Sequence, residues 1–334
     1  MTAEVLYSIR NLDVEYDTRI GGVRAVDDLS LDIYKGEIIG LVGESGCGKS
    51  TLGKAMMRTI SSPGHIVGGE LWFEGVDLMT LSEKEMSSIR GNRVGMVFQD
   101  PMTSLNPLIK ISDHLTEAIR THYPKMSEAA ARARAVEMVK DLGIREERID
   151  DYPHQFSGGM RQRIMIALVL ALNAALIIAD EPTTALDVIV EAQFLDLLRD
   201  LREEFELTIL LITHNIGVVA ELADRVAVMY AGKVAEVAPV EPAFLDTKHP
   251  YSRGLLRSVP NIDVDNQELY KMTGAPPNLI APPSGCRFHP RCPYAVDLCT
   301  DDEPRLLDVS GDGHLASCWI YSDALHRPTD PEHV

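Results

Sequence analysis

The hydrophobic positions of the chain follow two periods, and the switches between them mark out its elements. Val5–Tyr16 and Val23–Ile33 alternate apolar with polar residues, which predicts two antiparallel strands joined by a turn at Gly21-Gly22. Glu37–Val42 is a short apolar run rich in β-branched residues between Gly36 and Gly43, the pattern of a buried strand. A helix is predicted over 51–59, and further strands at Glu70–Phe73 and Val94–Val97. From Ile111 to Leu142 the spacing turns helical; Tyr123-Pro124 breaks it, Ser127 is placed to cap the second helix, and Gly143 stops it. Then come a helix over 159–172, the strand Leu176–Ala179, a helix around 189–203 and the strand Thr208–Ile212. Val226–Tyr230 and Lys233–Val237 form a hairpin across Ala231-Gly232. Strands alternating with helices predict a parallel-sheet α/β core, and a mostly helical insert at about 103–158 separates its two stretches.

Composition changes this picture little; charge changes it more. With 45% hydrophobic and 25% charged residues the chain is an ordinary globular one. Its 334 residues favour one large domain with an appendage. Lys and Arg number 32 against 50 Asp and Glu, and a net charge of −18 repels polyphosphate backbones, so nucleic acid is an unpromising partner. The N-terminus has no basic segment followed by an apolar one, so no signal peptide is expected. The longest apolar stretch, residues 164–179, is shorter than the roughly 20 residues of a membrane helix. Arg161, Arg163, Asp180 and Glu181 flank it, so a soluble protein that meets a membrane only through partners is expected. Ten of the nineteen prolines lie from Pro260 onward, as do four of the five cysteines. They place a boundary near 245–260, with one domain over 1–245 and a loop-rich extension over 246–334.

Three segments carry chemistry. Gly43-Glu44-Ser45-Gly46-Cys47-Gly48-Lys49-Ser50 stands between a predicted strand and the helix that begins at Thr51. Glycines let the backbone wrap so that its N–H groups and the helix N-terminus converge on phosphates; Lys49 adds a point charge, and the Ser50 hydroxyl is a magnesium ligand. Chance would produce this pattern roughly once in a hundred chains of this length. Leu176–Glu181 is a buried strand ending in two carboxylates: Asp180 can hold magnesium and Glu181 can polarise a water. Alone that signal is weak, since many buried strands end in acids; beside a phosphate loop it is strong. Ser157-Gly158-Gly159-Met160 opens a helix with a hydroxyl and two glycines, an anion site by its free amides and dipole, or simply a serine cap.

In order and spacing, the phosphate loop, Gln99, Ser157–Arg163, Leu176–Glu181, Ala185-Leu186-Asp187 and Ile212-Thr213-His214 resemble an ABC transporter ATP-binding subunit over about residues 5–245. His249–Leu256, Ser258-Val259-Pro260 and Gly285–Tyr294 resemble the C-terminal region of oligopeptide and dipeptide importer ATPases. The resemblance implies a P-loop NTPase core of ABC type, with an antiparallel β subdomain and a helical insert. It implies that Tyr16 stacks on adenine, with a core-facing strand aromatic as the plain alternative. Gln99 senses magnesium and γ-phosphate, Glu181 is the general base, and His214 contacts the γ-phosphate. Asp187 shapes a dimer interface, and Ser157–Met160 face the partner subunit's nucleotide. ATP and Mg²⁺ are the implied ligands. A second, homologous ATPase subunit, two permeases and an extracellular solute-binding protein are the implied partners, with this chain peripheral on the cytoplasmic face of the membrane. The helical insert is the implied docking surface for a permease helix. Ribosome- or DNA-acting ABC ATPases are the rival class; two cassettes in one chain, or long coiled coils, would mark them, and this chain has neither. Within importers, nickel, glutathione and oligosaccharides compete with peptides as solutes. Two departures stand out: Met160 replaces the superfamily's usual Gln, and Asn215 follows His214 where an Asp is usual.

Cys286, Cys292, Cys299 and Cys318 lack the short knuckles of structural zinc, and their long spacings suit a 4Fe–4S cluster, or alternatively four reduced thiols. Similar importer subunits carry such a cluster, which makes iron–sulfur the expectation and zinc, with His289 or His314 assisting, the alternative. Cys47, within the phosphate loop, is a small residue whose alkylation should block nucleotide binding.

Overall fold

The computed structural model describes residues 4–98, 104–184, 186–258 and 272–322. They form two compact units: the described residues of 1–6, 33–38 and 73–212, and those of 7–32, 39–72 and 213–322.

The first unit is organised on parallel strands. Leu176–Asp180 lies between Val94–Val97 and Thr208–Ile212, with Ile178 opposite Met96 on one side and Leu210 on the other. All five residues of Leu176–Asp180 and of Thr208–Ile212 are buried, which is why both read as continuous apolar runs. The crossover is the helix Val188–Phe205, whose buried Phe194, Leu195, Leu198 and Leu201 form one face. The helical insert contains Ile111–His122 and Glu128–Asp141. Ser127 caps the second by accepting from the Ala130 amide, and Ala131, Ala135 and Val139 make its buried stripe at a spacing of four. The helix Glu83–Ile89 escaped the sequence reading, although the Ser82/Glu85 capping box that starts it is a local signature. The long apolar stretch divides between the helix Gly158–Leu170 and the strand Leu176–Asp180, and among the described residues no helix is long and apolar enough to cross a membrane.

In the second unit, Val5–Thr18 and Gly21–Tyr34 form the expected hairpin, with Gly64–Phe73 beside the first strand. The turn falls at Arg19-Ile20, two residues earlier than the glycines suggested. The Thr18 hydroxyl closes it, donating to the Gly21 carbonyl at 2.5 Å and accepting from the Ile20 amide at 3.4 Å. Residues 39–42 of the strand Ile38–Val42 pair in parallel with Arg225–Tyr230, Val42 opposite Val228. Arg225–Tyr230 pairs with Lys233–Pro239 across Ala231-Gly232, both in the left-handed region that a tight hairpin turn requires. The C-terminal extension continues this sheet: Leu315–Ala316 pairs with Glu236-Val237, and Leu307-Asp308 pairs with Leu315–Ala316. Tyr230, Tyr251 and Phe288 lie in one buried cluster with Val42, Val219 and Val228, so the extension shares a core with the strands that carry the phosphate loop.

Candidate functional site

The loop between Val42 and the helix Lys49–Met56 has the form that anion binding needs. Gly43 (φ 154°) and Gly48 (φ 110°) pass so close to neighbouring backbone that a Cβ on either would sit 2.1 Å from a carbonyl oxygen, of Met229 and Ala25 respectively. The Cys47 amide donates to the Glu44 carbonyl at 3.2 Å, and the Cys47 carbonyl accepts from the Gly232 amide at 2.9 Å. Lys49 is only 6% exposed, and its Nζ donates to the carbonyls of Gly43 (2.8 Å) and Glu44 (3.2 Å), which folds the ammonium back over the loop. No side chain caps the helix and no acid stands in its first turn, so its positive end faces no competing charge there. Ser50 and Thr51 open the helix, and the half-buried Tyr16 brings its hydroxyl within 3.5 Å of Thr51 Oγ1. The Cys47 thiol is 5% exposed and burial pushes it above its ordinary range, so little thiolate is available for the alkylation expected of it. His214 is exposed, and the neighbouring Asn215 caps the next helix, accepting from the Gly217 amide at 3.1 Å while its own amide donates to Thr213 Oγ1 at 3.0 Å. The departure from Asp therefore has a local structural use.

The remaining described candidates belong to the first unit. Asp180 ends its strand 5% exposed. Glu181 follows in the left-handed region at φ 51°, rare for a residue with a side chain; its amide donates to the Ile212 carbonyl at 2.8 Å and its Oε2 accepts from Thr184 Oγ1 at 2.7 Å. Ser157 and Asp187 are both exposed helix caps, accepting from the amides of Met160 (3.4 Å) and Val190 (3.0 Å). Gly158 begins the helix that Ser157 caps, and Gly159 lies so near the helix Val188–Phe205 that a Cβ would meet Val190 Cγ1 at 2.4 Å. Gln99 and Ala185 lie outside the described residues.

Sequence reasoning missed the residues that grip the phosphate loop from outside. The Glu44 amide donates to the Tyr251 hydroxyl at 2.9 Å, and its carboxylate accepts from Arg291 Nη1 at 2.8 Å and Nη2 at 2.9 Å. Nearby, Arg287 donates to Asp27 and to the Ala231 carbonyl, and Glu236 and His314 are each 1% exposed and bond at 2.6 Å.

The cysteine expectation finds no support among the described residues. Cys286, Cys292, Cys299 and Cys318 are free and partly buried, and among the described residues no group of three or more His, Cys, Asp or Glu could hold a metal ion. Burial pushes the Cys286 thiol up to about 11 and Cys318 up to about 12 and raises Cys292, with the neighbouring cysteines adding to the effect on each.

A buried strand, a glycine loop and a helix led by a buried lysine make this a P-loop NTPase of the α/β class. Residues 26–184 match the ABC transporter family and residues 235–299 the oligopeptide/dipeptide transporter C-terminal region. The chain is 45% identical over 333 residues to the oligopeptide transport ATP-binding protein OppD of Bacillus subtilis, covering 98% of this chain and 92% of that one. It is 46% identical to the dipeptide transport ATP-binding protein DppD of the same species, covering 95% of each. The solved dimeric, post-hydrolysis ATP-binding cassette MJ0796, bound to ADP and phosphate, superposes with a TM-score of 0.63 at 29% identity, covering 70% of this chain and 98% of that one. The chain belongs to the ABC transporter family, within its branch of oligopeptide and dipeptide transport ATP-binding proteins.

Proposed function

We propose that this chain hydrolyses ATP to power the uptake of dipeptides or oligopeptides through an ABC importer. The observation that carries the reading is the phosphate loop: a buried Lys49 folded over a glycine turn at an uncapped helix N-terminus. The whole-chain likeness to peptide-transport ATP-binding proteins points that loop to transport.

In this reading the loop amides of Gly43–Thr51 and Lys49 take the phosphates, and Tyr16 stacks on adenine. Ser50, Gln99 and Asp180 would hold Mg²⁺ through hard oxygen donors, and the ion would supply charge neutralisation to the phosphates. Glu181 orients and deprotonates the attacking water, and its left-handed backbone gives a reason for the side chain to leave the strand direction. His214 contacts the γ-phosphate, and Gln99 relays its presence to the helical insert. Ser157–Met160 and Asp187 serve the nucleotide held by a second, homologous ATPase subunit. Closure of the pair on ATP drives two permeases fed by a solute-binding protein, with this chain peripheral at the cytoplasmic face. The ATPase domain spans 1–245 with the permease-docking insert at about 103–158, and the extension spans 246–334.

Iron–sulfur ligation by the four cysteines is the finer part of the proposal. Its support is their spacing and their mutual electrostatic influence, and it stands against the absence of a metal-holding group among the described residues. Iron and sulfide content with an absorbance spectrum tests it. The main reading is tested by reconstituting the chain with its permeases and partner ATPase in liposomes. ATP hydrolysis stimulated by peptide-loaded binding protein is expected; stimulation by nickel, glutathione or an oligosaccharide alone would reassign the solute.

A further inference from the structure

We propose that Arg291, which lies outside the phosphate loop, is a positioning residue for it: its fork on Glu44 fixes the residue after Gly43 and cancels the negative charge which that residue brings to a phosphate site. The inference rests on the nucleotide reading above and adds a regulator to the same site.

Glu44 is held on every polar side. Its amide donates to the Tyr251 hydroxyl at 2.9 Å, its carbonyl accepts from Lys49 Nζ at 3.2 Å, and its carboxylate takes both arms of the Arg291 guanidinium at 2.8 and 2.9 Å. Arg291 is itself immobilised, its side chain 5% exposed. Its Nη1 also donates to the Tyr230 hydroxyl at 3.2 Å and its Nε to the Thr273 carbonyl at 3.1 Å. The guanidinium carbon lies 5.7 Å from the Tyr230 ring centroid and 5.9 Å from that of Phe288. Those rings meet edge to face at 5.2 Å, and Tyr251 joins them 4.4 Å from Tyr230. A rigid aromatic platform of strand and extension thus aims one cation at one loop carboxylate.

The chemistry explains why such a clamp is needed. A loop that receives a polyphosphate gains nothing from a carboxylate of its own, because like charges in a partly buried site repel. Paired to a planar fork, the carboxylate becomes a handle that orients the loop and its charge is offset. The same backbone segment supplies the carbonyls on which Lys49 rests, so moving residue 44 also moves the lysine's support.

The test is nucleotide titration of the full-length chain with a fluorescent ATP analogue in the presence of Mg²⁺. Arg291→Gln, which removes the charge but keeps most of the shape, should weaken Kd about ten-fold. Arg291→Lys, a point charge without the fork, should weaken it less. Adding Glu44→Gln to Arg291→Gln should recover most of the loss, a reversal that a purely structural role of Arg291 would not produce. Under turnover with the permeases, the Arg291→Gln loss should fall on KM for ATP and leave kcat alone. Arg291→Gln binding within two-fold of the parent chain, or a double variant as weak as Arg291→Gln, overturns the proposal. Failure of the unaltered chain to bind nucleotide overturns the nucleotide reading instead. If Arg291→Gln does not fold, Arg291→Lys carries the test, and binding as tight as the parent chain's then overturns the fork's role.

Discussion

The strand exits around Asp180 and the C-terminal extension both present polar groups, yet they are held by opposite means. Leu176–Asp180 and Thr208–Ile212 are buried along their whole length, and the polar residues begin where the apolar run stops. Strand packing and the Glu181 amide's bond to the Ile212 carbonyl place Glu181, and a backbone in the left-handed region turns it. The extension has only short helices and two-residue strands among its described residues. Beside the apolar cluster of Tyr251 and Phe288, it is anchored by buried polar side chains: Arg287 on Asp27, Arg291 on Glu44, His314 on Glu236. The lesson concerns failure. A site set by strands tolerates loss of one polar group as a chemical defect, whereas a segment set by polar clasps loses its position when one clasp goes.

The sharpest separation of the two comes from Glu181→Gln. With ATP binding retained, hydrolysis in the assembled transporter should fall by about 10³-fold, the scale of removing a general base. Phosphate release and nucleotide titration on the same preparation check it, and near-normal turnover would remove Glu181 from its role. On the clasp side, His314→Ala leaves the Glu236 carboxylate buried without its strongest side-chain partner. About 3 kcal/mol of stability should be lost, read by denaturant unfolding, with no change expected in a Glu181-dependent step.

Acid should attack the clasp region first. Burial depresses His249 to about 4, although the Glu236 carboxylate opposes this; its Nδ1 accepts from the Tyr251 amide at 3.1 Å, which requires the neutral ring. A group whose folded pKa is lowered supports the fold fully above its unfolded value of 6.5 and loses that support as pH falls toward about 4. Roughly 2 kcal/mol should be gone by about pH 5. Unfolding curves across this range check it, and a His249→Gln chain should show a flatter pH dependence. The smallest effect expected is Gly159→Ala. The added Cβ, 2.4 Å from Val190 Cγ1, forces two helices of the first unit apart at a cost of about 1–2 kcal/mol, measurable as a shift in Tm.

Much of this was legible beforehand. Strands at 38–42, 94–97, 176–180 and 208–212, the hairpin across Ala231-Gly232 and the cap at Ser127 all carry their signals within a few residues. The hairpin turn at Arg19-Ile20 was misplaced because Thr18, a hydroxyl closing the turn, competes with the glycines that follow. The two strands of the extension were missed because two-residue strands have no periodicity to read. The four cysteines suggested a metal by their spacing and by family resemblance, neither of which says how the thiols are arranged in the fold, and among the described residues no metal-holding group forms.

What the sequence determined by itself was the class of protein: glycine spacing, a lysine, an apolar strand with acids at its end, and a tail pattern that places the chain among peptide-transport ATPases. These are local patterns whose chemistry depends on residues a few positions apart. Only the tertiary structure decided what grips the loop. Arg291 meets Glu44 across 247 positions and His314 meets Glu236 across 78, and such meetings leave no periodic trace in the chain. Partners are chosen there by the packing of Phe288 on Tyr230 and Tyr251, which brings distant charges within hydrogen-bond reach.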